Sequence, residues 1–301
     1  VAQTNEKQTC RKLYSQVING CTPALLGKSK VFVKHFSDSE FSSFEEEHEE
    51  FFEEALGKGL SSEKEKLKEI ILQEHWTEEE EQQIKDLTGS ISDATQQLET
   101  VSLEEKKGVQ NFIQSLQNKL HALGRVRNEL ISTTAETYAQ RKNNERIIFH
   151  SLCKDPECKI PFFEEEEFDN LDQSELVEAI SLYNENMEFF TEKWIKMIAT
   201  MPSFLNSFFL CNDDPSIFYG KPVIDLTIYQ TDLFSKGKYF KSILSESAAD
   251  GPSEADYEKG MQGVVNWYDL QYSIVKSRRD QEASQANKQS NQQPARSRGR
   301  R

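Results

Sequence analysis

Between residues 77 and 152 apolar side chains recur at alternating steps of three and four. Ile84, Leu87, Ile91, Ala94, Leu98 and Val101 form one series; Val109, Ile113, Leu116, Leu120, Leu123, Arg127 and Leu130 form a second. Such steps place one apolar stripe along each of two helices, the pattern of a coiled-coil seam. Thr77 with Glu80, and Ser102 with Glu105, have the spacing of a helix-capping box, so the first helix should end near Val101. A turn this short predicts an antiparallel helical hairpin. The second helix is expected to continue towards Leu152, as a rod of roughly 65 Å at about 1.5 Å per residue. Arg127, at a seam position, either sets the register against a carboxylate or marks where the seam opens.

Weaker patterns flank this region. Residues 1–29 are interrupted by Gly20, Pro23 and Gly27 and read as a flexible arm. Lys30–Phe36 alternates like a short strand whose partner is not evident. Ser37 with Glu40, and Ser62 with Glu65, open two short helices, and their region, 30–76, is small and acidic. The run Glu45, Glu46, Glu47, Glu49, Glu50, Glu53 and Glu54 reads as a solvated helix face more readily than as a cation site or a dock for a basic partner. Cys153–Pro161 is a break. Asp172 and Glu175 open a helix expected to carry Val177, Ile180, Tyr183, Met187, Trp194 and Ile198 as far as Pro202. Leu226, Tyr229 and Leu233 recur at helical spacing, and Glu254–Lys276 predicts a last helix. The fold class is therefore mainly α. A coiled-coil hairpin (77–152) is attached to a mostly helical, aromatic-rich domain (153–279). One short strand pair is possible, and residues 280–301 form a disordered basic tail.

Aromatic side chains concentrate between Met187 and Leu244. Each large aromatic buries roughly 150–250 Å², so the stretch supplies either a core or an interface. Met187, Trp194 and Ile198 share helical spacing and read as core. Phe218, Tyr219 and Tyr239 lie beside turns, near Lys221, Lys236, Lys238 and Lys241, and are the named candidates for interface anchors.

Charge and chemistry narrow the function classes. The net charge of −15 is uneven: Lys276–Arg301 holds eight Lys/Arg against Asp280 and Glu282, a net +6, leaving −21 on the remainder. An acidic body disfavours non-specific nucleic-acid binding. Arg296, Arg298, Arg300 and Arg301 in the tail are the candidates for contact with phosphate. Five cysteines are too few for a disulfide scaffold at this length, and no run of about 18 apolar residues spans a membrane. The expected setting is cytoplasmic. His150, Cys153 and Cys158, with Cys211 as a fourth, are the thiol and imidazole candidates for holding a metal. Their spacing is loose, so no metal and no cofactor is expected. Gly27-Lys28-Ser29 lacks the upstream glycine of a phosphate loop, and no nucleophile elbow is present. The chain reads as a non-enzymatic interaction protein. The alternative is a nucleic-acid-associated virion or packaging protein acting through the tail; a metal-dependent enzyme is the third class.

Four stretches, taken together, carry a resemblance: Phe32–Phe36 (FVKHF), His75–Glu81 (HWTEEEE), Arg127–Lys142 (RNELISTTAETYAQRK), and Phe208–Leu244 (FFLCNDDPSIFYGKPVIDLTIYQTDLFSKGKYFKSIL). Over residues 30–245 the layout resembles uncharacterised proteins of large tailed bacteriophages with contractile tails. The resemblance implies a virion-structural or tail- and baseplate-assembly role with other virion or assembly proteins as partners. It also implies a place in the host cytoplasm or the virion, and it brings no catalytic motif.

Overall fold

The computed structural model describes residues 2–100, 103–247 and 251–290 and is mainly helical. In chain order the elements are α1 (Ala2–Asn19), β1 (Cys21–Leu26), β2 (Ser29–Lys34), α2 (Asp38–Gly57), α3 (Glu63–Leu72), α4 (Glu78–Thr100), α5 (Leu103–Ile131), α6 (Ala135–Ser151) and β3 (Leu152–Cys153). They continue with α7 (Glu165–Asp169), α8 (Gln173–Met187), α9 (Glu192–Ala199), α10 (Pro202–Leu210), α11 (Pro215–Tyr219), a 3-10 turn (Val223–Asp225), α12 (Ile228–Glu246), α13 (Glu254–Glu258) and α14 (Met261–Ser290). The chain divides into two compact units, residues 1–42 with 147–301, and residues 43–146.

In the first unit the expected flexible arm is instead helix and strand. Cys10, Leu13 and Val17 recur at steps of three and four along α1 and are buried in the main core. Gly27, at φ 57°, turns β1 back on β2, with Leu26 opposite Ser29 and Cys21 opposite Lys34. Glycine supplies that left-handed conformation without a steric penalty. Pro23 is tolerated because β1 is an edge of the three-stranded antiparallel sheet, ordered β1-β2-β3. The strand expected at Lys30–Phe36 therefore has partners on both sides.

The main core joins α1, α9, α10, α12 and α14 through Phe190, Ile195, Phe204, Phe208, Phe234, Phe240, Trp267 and Tyr268. Aromatic pairs fill it edge-on and stacked, with Phe204 and Phe208 at 5.5 Å and Phe240 and Tyr268 at 4.1 Å between centroids. Gln230, fully buried in α12, donates to the carbonyls of Val17 and Ile18 and accepts from the Thr227 amide, which ties α1 to the start of α12. A second cluster of Val33, Ile148, Leu152 and Ala179 lies under the sheet. The helix expected from Asp172 to Pro202 is two helices, α8 and α9, with Thr191 at the N-terminal cap of α9. Residues 280–290, expected within the disordered tail, are helical, because α14 continues to Ser290 through Gln, Ala, Glu and Lys, which are fair helix formers; residues 291–301 lie outside the described residues.

In the second unit, capping boxes form as spaced in the sequence. Ser62 caps α3 and Thr77 caps α4, the latter accepting from the Glu80 amide at 3.1 Å. The box at Ser102 lies outside the described residues. Ile70, Trp76 and Ile131 are buried together, with Leu67, Ile84, Leu123 and Leu130 against them. Arg127 makes a two-pronged contact with Glu81 at 2.8 and 3.1 Å and reaches Glu63 at 2.7 Å. The start of α4 thus meets the end of α5, and the two helices run in opposite directions. The long rod expected to reach Leu152 is broken after Ile131. Ser132 takes φ 62°, and Thr134 exchanges hydrogen bonds with Thr137 to start α6 afresh. Hydroxyl side chains that bond to the local backbone favour such a restart over helix continuation.

Candidate functional site

Alternation along β2 sorts its side chains. Val31 and Val33 are buried on one face, continued by His35; Phe32 and Lys34 take the other. Cys21 pairs with Lys34 and Cys153 with Phe32, so both cysteines fall on the Lys34 face. The loop after β3 brings a third thiol. Asp155 accepts from the amides of Glu157, Lys159 and Ile160 at 2.8–3.2 Å, an Asx-type turn that holds Cys158 at φ 53°. Cys21 Sγ donates to the Pro156 carbonyl at 3.3 Å. Cys158 interacts through its thiol with both Cys153 and Cys21. The hydrogen bond from Cys158 holds the Cys153 thiol below its ordinary pKa, helped by the Lys34 ammonium. Its counterpart with Cys153 pushes Cys158 up to about 12. All five cysteines are free thiols.

Beside Cys158 opens a cleft of about 390 Å³, walled also by Gly20, Lys34, Ser37, Glu40, Lys221 and Asp225. His35 reaches its wall from the far face of the sheet. It is 2% exposed, with Nε2 2.9 Å from Thr22 Oγ1 and the rings of Phe190 and Tyr229 at 4.6 and 5.2 Å. Burial lowers its pKa to about 3, and the nearby Lys221 charge adds to the effect, so the ring is neutral.

Of the metal-ligand candidates, Cys153 and Cys158 come together. Cys211 does not: it sits in the main core with its thiol donating to the Phe208 carbonyl. The His150 ring packs at 5.0 Å on Phe149. Among the described residues no group of three or more His, Cys, Asp or Glu is arranged to hold a metal ion. Cys21 and His35 were not singled out by the sequence. The signal for Cys21 was the glycine turn between two alternating runs, which predicts its pairing with Lys34; His35 carried no signal of its own.

Phe218, Tyr219 and Tyr239 are half-buried and pack on the main core. Tyr219 Oη donates to the Gln230 carbonyl at 2.9 Å. The exposed apolar side chains of the same segment include Phe189, Phe209, Leu210, Ile217, Val223 and Ile224, with Leu210 85% and Ile217 65% exposed. Tyr219→Phe is expected to cost about 1 kcal/mol, the usual net worth of one buried hydrogen bond. Chemical denaturation checks this, and an unchanged stability would free Tyr219 for an interface role.

The expected seam positions lie on α4 and α5. Leu116 is buried, while Ile84, Leu87, Ile91, Leu98, Leu120 and Leu123 are half-buried, with exposed residues between them. Phe112 and Val126 on α5 are exposed. Arg296, Arg298, Arg300 and Arg301 lie outside the described residues. Among the described residues no helix is long and apolar enough to cross a membrane. No family model matches the chain, and no curated protein or solved structure matches it.

Proposed function

We propose that the chain is a non-enzymatic interaction protein whose α4 and α5 form an antiparallel coiled-coil hairpin for docking on partner proteins. Following the resemblance, its place is as an assembly factor or a tail- or baseplate-associated component of a large tailed bacteriophage. The observation that supports this best is the state of the seam: two helices facing each other leave Ile84, Leu87, Ile91, Leu98, Leu120 and Leu123 half-open. A further helix from a partner would cover those flanks, as in multi-stranded coiled coils. The acidic body suits partners with basic contact faces.

Cross-linking of assembly intermediates from infected cells tests the reading. Tail or baseplate proteins joined to α4 and α5 are the expected result. Recovery only with genome-packaging proteins, lost at raised salt, would favour the nucleic-acid reading instead. Leu98→Asp is expected to reduce helicity and unfold the hairpin together, since it sets a charge in the seam. Phe112→Ser, at an exposed position, should leave stability within about 0.5 kcal/mol while weakening the association.

A further inference from the structure

We propose that Cys153 and Cys158 form a reversible dithiol–disulfide site, oxidised through the cleft beside Cys158 by a small disulfide of the glutathione class. Three observations carry this. Sheet register and the Asp155 turn bring the two thiols together from opposite ends of one short loop. Cys158 is the half-exposed member of the cluster, whereas Cys21 and Cys153 are each 3% exposed. Cys158 also lines a cleft of about 390 Å³, and small-molecule sites run from about 300 to 1,000 Å³. Cys21 is the competing partner, but its thiol donates to the Pro156 carbonyl. The Cys158 hydrogen bond and the Lys34 ammonium favour the thiolate on Cys153 and not on Cys158, so Cys153 is placed to take the Cys158 proton during exchange.

The exchange has two steps. Cys158 passes its proton to the Cys153 thiolate as it attacks one sulfur of the small disulfide; that S–S bond breaks, a mixed disulfide forms, and one small thiolate leaves with that proton. Cys153, as thiolate, then attacks Cys158 Sγ and expels the second. Two protein thiols are oxidised and one small disulfide is reduced, with the two thiol protons ending on the two released thiols.

The full native chain, incubated with oxidised glutathione, alkylated and digested with trypsin, provides the test. The expected product joins the peptide Ile147–Lys154 to Asp155–Lys159, disappears on reduction, and leaves Cys10 and Cys211 alkylated. In Cys153→Ser, glutathione should instead remain trapped on Cys158. The wild-type mapping stands by itself should that variant fail to fold. Joining of Leu13–Lys28 to Asp155–Lys159 would overturn the assignment in favour of Cys21. Stable glutathionylation of wild-type Cys158, or absence of any reaction, would remove the site. One equivalent of zinc in the purified protein, shielding these thiols, would replace it with a metal site.

Discussion

Acidification from pH 6.5 to pH 4.5 is expected to lower the stability of the first unit by roughly 2–3 kcal/mol through His35, at about 1.4 kcal/mol per pH unit for one proton. The folded protein keeps this imidazole neutral down to about pH 3, because charging it would place an ion among Phe190, Tyr229 and the sheet beside the Lys221 ammonium. An unfolded chain protonates the same ring near its ordinary pKa of about 6.5. Below that pH the unfolded state binds the extra proton, so stability falls until the folded pKa is reached. His35→Leu should flatten the slope of unfolding free energy against pH between 6 and 4.5, whatever its effect at neutral pH. Urea titrations at several pH values supply that slope; an unaltered slope in the variant would assign the acid response to other groups. Glu81 acts lower on the scale. Hydrogen bonds from Arg127 hold its carboxyl below the usual range, so its contribution is present above about pH 4.3 and is lost as pH falls through its folded pKa.

Gly237→Val is expected to damage the same unit by several kcal/mol, with Gly237→Ala costing about 1–3 kcal/mol and Phe208→Ala about 3–5 kcal/mol. Gly237 lies within α12, where a glycine ordinarily weakens the helix by about 1 kcal/mol relative to alanine. Here a Cβ would stand 2.8 Å from two carbons of the Phe208 ring and 2.9 Å from Phe204 Cζ. Both rings are fully buried, and Phe208 also packs at 5.0 Å on Phe234, so neither can move aside without disturbing the cluster. Gly89 in α4 is the opposite case, with nothing within 4 Å of its added Cβ. Gly89→Ala should therefore stabilise its helix by up to about 1 kcal/mol. Denaturant midpoints of the two alanine variants, moving in opposite directions, are the measurement. Equal gains from both would show that α10 and α12 are not in close contact.

Helices with a local signal are legible in the sequence. The apolar steps along α4 and α5 and the boxes at Ser37, Ser62, Thr77 and Asp172 depend on residues within one or two turns of each other, so neighbouring positions suffice to read them. The same locality explains the failures. Residues 1–29 resemble an arm because Gly20, Pro23 and Gly27 break local periodicity, yet those breaks shape a helix–strand–hairpin whose buried face is supplied by α9 and α12. Thr134 ends the long rod through a hydroxyl cap with no acidic residue at the usual spacing.

The helical character of α4 and α5 and the aromatic richness of residues 187–244 were determined by the sequence itself, because periodicity and side-chain volume are properties of the chain. Which face of each element meets which was decided only by tertiary structure. Phe218 and Tyr219 pack inward while Leu210 and Ile217, a few residues away, face solvent, since the core offers room on one side of α10 and α11 alone. Cys21 meets Cys158 across 137 positions because strand pairing and an Asp155-held loop bring them to one sheet face. No local pattern encodes such a meeting, whose physical cause is the burial of Val31 and Val33 on the opposite face.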